Sequence, residues 1–136
     1  TNDVLWSVDN NGIEKAFCCM SATARDFARL GQLYIQKGNW GGRQIIDSSY
    51  VEQSVSPAQY KNGKADFYGY QWWLNRGDEN LRWPSLPEGS FAAMGNRQQR
   101  VMVVPTHDLV IVRLGWTAGS YPDDEHYAKI IAALPR

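Results

Sequence analysis

The apolar residues of this chain come in short runs, and two of these runs are continuous rather than alternating. Val101–Val104 is closed by Pro105, and Leu109–Val112 follows after the turn residues Thr106–Asp108. Two β-branched runs on either side of a short turn predict a β-hairpin. Because successive positions are apolar, we expect both strands to lie in the middle of a sheet, with helices covering each face.

Two segments upstream of this hairpin also have the character of strands. Phe91–Met94 is a small apolar run that stops at the polar break Gly95–Gln98. Phe67–Leu74 is rich in aromatic residues, and an extended strand there would place alternate side chains on two faces. Together with the hairpin, these segments predict an antiparallel sheet.

Helix-start signals occur at three places along the chain. Thr23 and Asp26 have the spacing of a capping box, ahead of an apolar face at helical spacing. Asp47 is the expected N-cap of a short second helix. Pro122 or Asp123 is expected to begin a final helix. The order of elements predicts an α+β fold, an antiparallel sheet with packed helices.

Length and composition narrow the classes of protein. The 136 residues suit one domain over positions 1–136, and a hydrophobic content of 43% argues against disorder. A formal net charge of zero excludes the basic footprint of a nucleic-acid-binding protein. No apolar run is long enough for a membrane span. The chain begins with Thr1 and shows no signal peptide, so we interpret its start as a cut and leave its compartment open.

The cysteines and histidines have no metal-site spacing. Cys18 and Cys19 are adjacent; on a strand their side chains point to opposite faces, so a bond between them would be strained. We expect two small, buried or half-buried side chains that pack as apolar residues, with their redox state left open. His107, in a turn, and His126, on a helix, are expected to have ordinary surface roles.

A search for catalytic patterns finds little. No serine lies in a Gly-x-Ser-x-Gly motif or has a lysine three residues later, and no His-Glu-x-x-His or Gly-rich phosphate loop is present. The exception is the break at Gly95–Arg97. A strand that ends at glycine beside a polar loop leaves backbone N–H groups that could stabilise an oxyanion, although an ordinary connection between strands explains the same residues.

Three stretches resemble one family of enzymes. The run FAAMGNRQQRVMVVP at 91–105, SATARDFARLGQLY at 21–34 and YGYQWW at 68–73 occur in the order typical of the serine β-lactamase-like hydrolases. This family includes class C β-lactamases, penicillin-binding DD-peptidases, esterases and 6-aminohexanoate-dimer hydrolase. The resemblance implies that the chain is the C-terminal portion of a β-lactamase/transpeptidase-like fold, in a bacterial protein. It implies no cofactor and no metal.

The family acts by acyl transfer, and the resemblance assigns one part of that machinery to this chain. Met94-Gly95-Asn96 occupies the position of the Lys-Thr-Gly-like strand that helps to hold the oxyanion. We therefore predict Met94, Gly95 and Asn96 as catalytic-site residues, with the Asn96 N–H as the oxyanion donor. The family pattern has glycine where this chain has Gln98.

The same resemblance suggests residues that could bind a substrate. Met94 stands where lysine or histidine is usual, so the cation that holds a substrate carboxylate is missing there. Arg97 or Arg100 could replace it, or both could simply be solvated. Trp72 and Trp73 could line an acyl pocket, with packing in the core as the alternative. The predicted substrate-binding residues are Trp72, Trp73 and Arg97.

The nucleophilic Ser-x-x-Lys and the Tyr-x-Asn of the family are absent from these residues, because in the family both lie upstream. We expect the chain to be one part of a serine hydrolase that acts on an amide, lactam or ester, and to be inactive alone. It could also expose an unpaired sheet edge and self-associate. Many relatives are exported, which makes a periplasmic or secreted location an option.

Two other interpretations stay open. The chain could be a non-catalytic module that binds peptidoglycan-like or carbonyl ligands, an interpretation that Met94 favours. It could also be an independent structural or interaction domain that uses aromatic residues at a sheet edge. An upstream Ser-x-x-Lys favours the enzyme, and an upstream region without it favours the binding module. The absence of any upstream coding sequence favours the third interpretation.

Overall fold

A four-stranded antiparallel sheet runs through the middle of the protein, here a computed structural model that describes residues 4–61, 63–76, 81–117 and 119–135. The strands are β1 (Leu5–Trp6), β2 (Met20–Ser21), β3 (Asn39–Trp40), β4 (Arg43–Gln44), β5 (Ala58–Tyr60), β6 (Gly63–Ala65), β7 (Trp73–Leu74), β8 (Phe91–Gly95), β9 (Gln99–Val104) and β10 (Leu109–Arg113). The helices are α1 (Ala24–Ile35), α2 (Ser48–Ser54) and α3 (Asp123–Ala132).

The predicted sheet is present, with strand order β10-β9-β8-β7. Val103 of β9 lies opposite Val110 of β10 on one side and Phe91 of β8 on the other. A central position is confirmed for β9, whose residues Val101–Val104 are at most 7% exposed. It is wrong for β10, which is half-buried and forms the edge of the sheet among the described residues.

Helix α1 begins as predicted. The Thr23 hydroxyl accepts a hydrogen bond from the Asp26 N–H at 3.3 Å, and the Asp26 carboxylate accepts one from the Thr23 N–H at 3.3 Å. At the start of α2, Asp47 accepts hydrogen bonds from the Ser49 hydroxyl and N–H, and these bonds lower the pKa of its carboxyl. Helix α3 follows Pro122. All three predicted starts are confirmed.

The sheet is covered by a helix on each face. On the face that we call the α1 face, Phe27, Tyr34 and Ile35 of α1 pack on a buried cluster, which consists of Trp72, Leu74, Phe91, Val101 and Val103. On the opposite face, the α3 face, Tyr127 belongs to a second buried cluster, with Trp83, Leu86, Ala92, Met102 and Val104. The sheet between two helical layers is the α+β architecture that the pattern predicts.

The aromatic segment 67–74 differs from its prediction. Only Trp73–Leu74 is a strand, and Tyr68 folds back to form a β-bridge with Trp73. Gln71 has a φ of 67°, in the left-handed region, which breaks the extended conformation. The segment is therefore a tight turn, and its side chains do not alternate between two faces of one strand.

The two cysteines are joined in a disulfide, Cys18–Cys19. Cys19 has a φ of 73°, so the pair does not lie on a strand and the argument from alternating side chains does not apply. Cys18 is half-buried, as expected, and Cys19 is exposed, so the expectation of a buried or half-buried side chain is wrong for Cys19. His107 is exposed, and His126 lies half-buried with its ring 4.9 Å from the Tyr121 ring.

Two searches of the described residues bear on broad function. No helix within the described ranges is long and apolar enough to cross a membrane. In the same ranges, no group of three or more histidine, cysteine, aspartate or glutamate side chains could hold a metal ion.

Candidate functional site

The predicted oxyanion strand is β8, which crosses the core and ends at Gly95. Its alternating side chains face both helical layers, with Ala93 toward the α1 face and Met94 toward the α3 face. On one side, β9 pairs with β8 along its full length, up to Gly95 opposite Gln99. On the other side, β7 pairs only with Phe91 and Ala92. Among the described residues, Ala93–Gly95 therefore has an open strand edge on the side away from β9.

A turn of unusual conformation follows this open edge. Asn96–Gln98 forms a single 3₁₀ turn, in which Arg97 has a φ of 55° and Gln98 a φ of 65°. The Asn96 side-chain oxygen accepts a hydrogen bond from the Arg97 N–H at 2.8 Å. Two successive non-glycine residues in the left-handed region are uncommon and need support from their surroundings. The φ of Gln98 lies in a region that glycine adopts most readily.

The support comes from the segment that follows β10. The Gln99 side-chain amide pairs with the backbone of Gly115: it donates to the carbonyl at 2.5 Å and accepts from the N–H at 2.9 Å. The Arg113 guanidinium donates to the Gln98 carbonyl at 2.8 Å. A Cβ on Gly115 would lie 2.3 Å from the Arg97 carbonyl oxygen, so only glycine permits this approach. The turn is thereby held in one conformation.

A buried ion pair adjoins the turn on the α3 face. Arg100 is 6% exposed, and its Nε donates to the Asp123 carboxylate at 2.9 Å, at the first turn of α3. Its guanidinium also donates to the Gln98 side-chain oxygen and, at 2.9 Å, to the Gln99 carbonyl. Arg100 is therefore neither solvated nor free to hold a substrate carboxylate. Arg97 is exposed at the turn.

The two predicted tryptophans lie on opposite faces of the sheet. Trp72 is 4% exposed on the α1 face, with its ring centroid 4.6 Å from that of Tyr34 and 5.0 Å from that of Phe91. Trp73 is half-buried on the α3 face, the face to which Met94 points. Arg82 lies 4.2 Å above the Trp73 ring, within range of a cation–π interaction. The fold thus brings Trp73 and Met94 to one face and places Trp72 on the other.

Three clefts lie in the described surface, and none of the three is lined by a predicted site residue. One, of about 700 Å³, lies between Phe67, Arg82 and the first turn of α3. Another, of about 620 Å³, lies beside α1 and Trp40, and a third, of about 260 Å³, lies between α2 and Gly89. The β8 edge and its turn, residues 93–98, which we call the rim, line none of these three clefts.

Sequence reasoning missed two residues that position the site. Asn75 is fully buried: its side-chain nitrogen lies 3.0 Å from the Trp83 carbonyl oxygen, to which it donates, and its side-chain oxygen accepts from the Trp83 N–H at 2.8 Å. These bonds anchor the loop that leads into β8. The sequence predicts Asp123 only as a helix-start residue. The sequence signal for this partner is Arg100, which directly precedes a predicted buried run. A buried charge needs a partner of opposite charge.

Comparison with known proteins gives a consistent set of relatives. The chain is 29% identical over 133 residues to the 6-aminohexanoate-dimer hydrolase of Paenarthrobacter ureafaciens. The aligned region covers 90% of this chain and 30% of that protein. It is 28% identical over 114 residues to an uncharacterised protein of Alkalihalophilus pseudofirmus, covering 79% of this chain and 33% of the relative. No family model matches the sequence.

The fold agrees with the sequence relatives. A solved structure from Bacillus anthracis, provisionally assigned as a 6-aminohexanoate-dimer hydrolase, matches 98% of this chain with a TM-score of 0.67 and 25% identity. The match covers 35% of that structure, so the chain spans about a third of the length of these relatives. Sequence and fold are both similar to those of proteins named 6-aminohexanoate-dimer hydrolase, and this likeness supports a C-terminal fragment of a β-lactamase-like fold.

Proposed function

We propose that this chain supplies the oxyanion side of an acyl-transfer site in a serine hydrolase that acts on an amide, a lactam or an ester. In this role the Asn96 N–H donates to the developing oxyanion, at the end of the strand that carries Met94 and Gly95. The serine nucleophile and its lysine come from another part of the complete protein, since no Ser-x-x-Lys occurs in the 136 residues.

The observation that supports this proposal is the open edge of β8 at Ala93–Gly95, followed by a turn that Gln99 and Arg113 hold in place. An open strand edge presents backbone groups to an extended ligand. Donors that are fixed before the reaction stabilise an oxyanion without the cost of reorganisation. Arg97 is the exposed cation at the rim. In this proposal it binds the substrate carboxylate, which Met94 cannot bind.

Trp72 and Trp73 then take different roles. Trp73 shares the α3 face with Met94 and is half-buried, so we propose it as the aromatic wall nearest the site. Trp72 lies 4% exposed against α1, and its packing favours a structural role.

Backbone donation by Asn96 has a direct test in the complete hydrolase. Asn96→Pro removes the N–H, and Asn96→Ala keeps it while removing the side chain. Gly95 has a φ of −118° and a ψ of 171°, a conformation that a following proline tolerates. We expect kcat to fall about 100- to 1,000-fold in Asn96→Pro, as for the loss of one oxyanion donor, and by less than about tenfold in Asn96→Ala. Equal losses in both variants would contradict a backbone role.

The chain alone is expected to be inactive. A fluorophosphonate probe, which labels activated serines, should leave the mass of the folded chain unchanged. Circular dichroism on the same sample establishes folding, and an active serine hydrolase labelled in parallel establishes that the probe reacts. A stoichiometric adduct on one serine of the chain would show that the nucleophile lies within these residues.

A non-catalytic binding module is the second candidate. The observation in its favour is that the Met94 side chain packs against the buried cluster of the α3 face, where a cation for the substrate carboxylate would otherwise project. The complete protein distinguishes the two candidates. If it binds a carbonyl ligand while the probe labels no serine, the binding module is correct and the enzyme proposal is not.

We also propose that the outer edge of β10 supports self-association. Leu109–Arg113 is half-buried and pairs with β9 alone among the described strands. Unpaired edges of this length are templates for pairing with another chain. Sedimentation should show a dimer that forms with rising concentration, with slower amide hydrogen exchange in β10. Exchange in β10 that does not depend on concentration would argue against this edge as the interface.

A further inference from the structure

The Cys18–Cys19 disulfide lies in the connection between β1 and β2, a region that we call the N-terminal hairpin (residues 5–21). Cys19 is exposed, and Cys18 is half-buried. An exposed disulfide is open to attack by a thiolate from solution, the step that begins thiol–disulfide exchange. The pair lies far along the chain from the β8 edge, and the proposed acyl-transfer chemistry makes no use of it.

The backbone of the two cysteines holds the hairpin together. The Trp6 indole N–H donates to both the Cys18 and the Lys15 carbonyls at 3.1 Å, and the Ser7 N–H donates to the Cys19 carbonyl at 3.0 Å. The Cys18 N–H donates to the Lys15 carbonyl at 3.0 Å. Any change in the backbone of this pair therefore acts directly on Trp6 and on the pairing of β1 with β2.

The disulfide restricts this backbone. A bond between adjacent cysteines closes a small ring that contains the peptide bond between them, and Cys19 within this ring has a φ of 73°. An L residue other than glycine rarely adopts that region when it is free. With the bond reduced, nothing covalent keeps Cys19 there, and a return to negative φ turns its carbonyl away from Ser7.

We propose that Cys18–Cys19 is a redox-modification site, which an external dithiol opens and which releases Trp6 and the N-terminal hairpin. A thiolate of the dithiol attacks Sγ of Cys19, and the Sγ–Sγ bond breaks to leave the Cys18 thiolate, which takes up a proton. The second thiol of the reagent then displaces Cys19. The products are two protein thiols and the oxidised, cyclic dithiol, so two electrons and two protons pass to the protein.

The hairpin is suited to respond because burial does little to hold it. Its large apolar side chains are exposed: Leu5 is 74% exposed, Phe17 73% and Ile13 62%. Hydrogen bonds and the disulfide therefore carry more of its stability than apolar packing does. Neither buried cluster of the sheet includes a residue of the hairpin, so reduction is expected to act locally.

The first part of the test counts thiols. The folded chain, isolated without reductant, is treated with iodoacetamide before and after incubation with dithiothreitol, and its intact mass is measured. We expect no adduct before reduction and two after it. Two adducts on the unreduced folded chain would show that the bond is absent, and no adducts on the folded chain after reduction would show that a dithiol does not reach it. Either result would overturn the proposal.

The second part measures the structural consequence. We expect reduction to speed amide hydrogen exchange at Ser7 about tenfold, with the amides of α1 unchanged as an internal control. The six tryptophans obscure Trp6 in a simple spectrum, so the fluorescence change on reduction is compared between the wild type and Trp6→Phe. The change should disappear in Trp6→Phe and in the double variant Cys18→Ser with Cys19→Ser.

Two results of the second part would contradict the proposal. Unchanged exchange at Ser7 after full reduction would mean that the disulfide does not control the hairpin. Faster exchange throughout α1 as well would mean that the bond stabilises the whole fold rather than acting as a local switch.

Discussion

Different kinds of interaction stabilise the two faces of the central sheet. On the α1 face, aromatic and aliphatic side chains pack against one another, and Trp72 lies among the rings of Tyr34 and Phe91. The α3 face combines an apolar cluster with the ion pair Arg100–Asp123, whose side chains are 7% and 12% exposed. The stability of an apolar face depends on how completely its volume is filled, whereas a buried charge is stable only beside one specific partner. The pair Arg100–Asp123, which adjoins the candidate site, belongs to the second kind.

The largest loss of stability is expected on the α1 face, from Trp72→Ala. This change empties a large volume between α1 and the sheet and should lower the free energy of unfolding by about 3 to 5 kcal/mol. Urea denaturation followed by circular dichroism measures it. Trp116, 86% exposed, is the matched control, and Trp116→Ala should change stability by less than about 0.5 kcal/mol. Similar losses in both variants would contradict the packing described here.

On the α3 face, Arg100→Ala should lower the free energy of unfolding by about 3 kcal/mol. The change leaves the Asp123 carboxylate, 12% exposed, without its cation. The double variant Arg100→Met with Asp123→Leu should recover most of this loss, since an apolar pair of similar volume needs no partner. The exposed pair Lys37–Glu52 is the control, and Lys37→Ala should cost less than about 1 kcal/mol. A double variant as unstable as Arg100→Ala would mean that apolar volume cannot replace the polar contacts of the pair.

Gly31→Ala tests how closely α1 lies on the sheet. The added Cβ would be 2.6 Å from Cγ1 of Val110 and 3.2 Å from Cγ2 of Val103. Overpacking of about 1 to 3 kcal/mol should outweigh the gain of about 1 kcal/mol in helix propensity. Thermal unfolding should therefore show a lower Tm, and Val110→Ala in the same chain should restore part of it. A higher Tm for Gly31→Ala would show that the α1 face has room to spare.

The smallest effect concerns Tyr127, 1% exposed, whose hydroxyl has no hydrogen-bond partner among the described residues. Tyr127→Phe should leave the free energy of unfolding unchanged or raise it by up to about 1 kcal/mol at neutral pH. Urea denaturation at neutral pH measures this change. A loss of more than about 1 kcal/mol would show that the hydroxyl stabilises the α3 face.

The same variant has a pH signature. Burial, and then the nearby Asp123 carboxylate, raises the pKa of Tyr127 in the folded protein. The folded state thus keeps this proton longer than the unfolded chain does, so stability is full below about pH 10 and falls as the pH rises above it. In Tyr127→Phe this part of the fall should be absent. Exposed Tyr60 provides the control for removal of a hydroxyl group, and Tyr60→Phe should leave the free energy of unfolding at neutral pH unchanged.

Local signals predicted most of the elements around the site. The capping box at Thr23, the N-cap at Asp47 and the hairpin across Pro105–Asp108 were all read from neighbouring residues, and the structure confirms them. The predicted end of β8 at the Gly95 break agrees as well. These predictions are confirmed because caps and turns depend on residues a few positions apart.

The errors arise where distant contacts override local preference. The aromatic residues 67–74 have high strand propensity, yet the segment folds back on itself so that Trp72 and Trp73 pack on opposite faces of the sheet. Arg100 resembles a surface cation in the sequence, because Asp123, 23 residues further on, gives no local sign that it is the partner. The positive φ of Cys19 is equally invisible in the sequence and removes the geometric argument against a bond with Cys18.

The sequence by itself determined the strand runs at 91–94, 101–104 and 109–112, the helix starts and the family resemblance, because each rests on short-range patterns of residue type. Only the tertiary structure decided which edge of β8 is open, which arginine is buried and which tryptophan lies beside Met94. These features depend on how segments far apart in the chain meet. Packing of distant segments, rather than local propensity, sets burial and pairing in a folded chain.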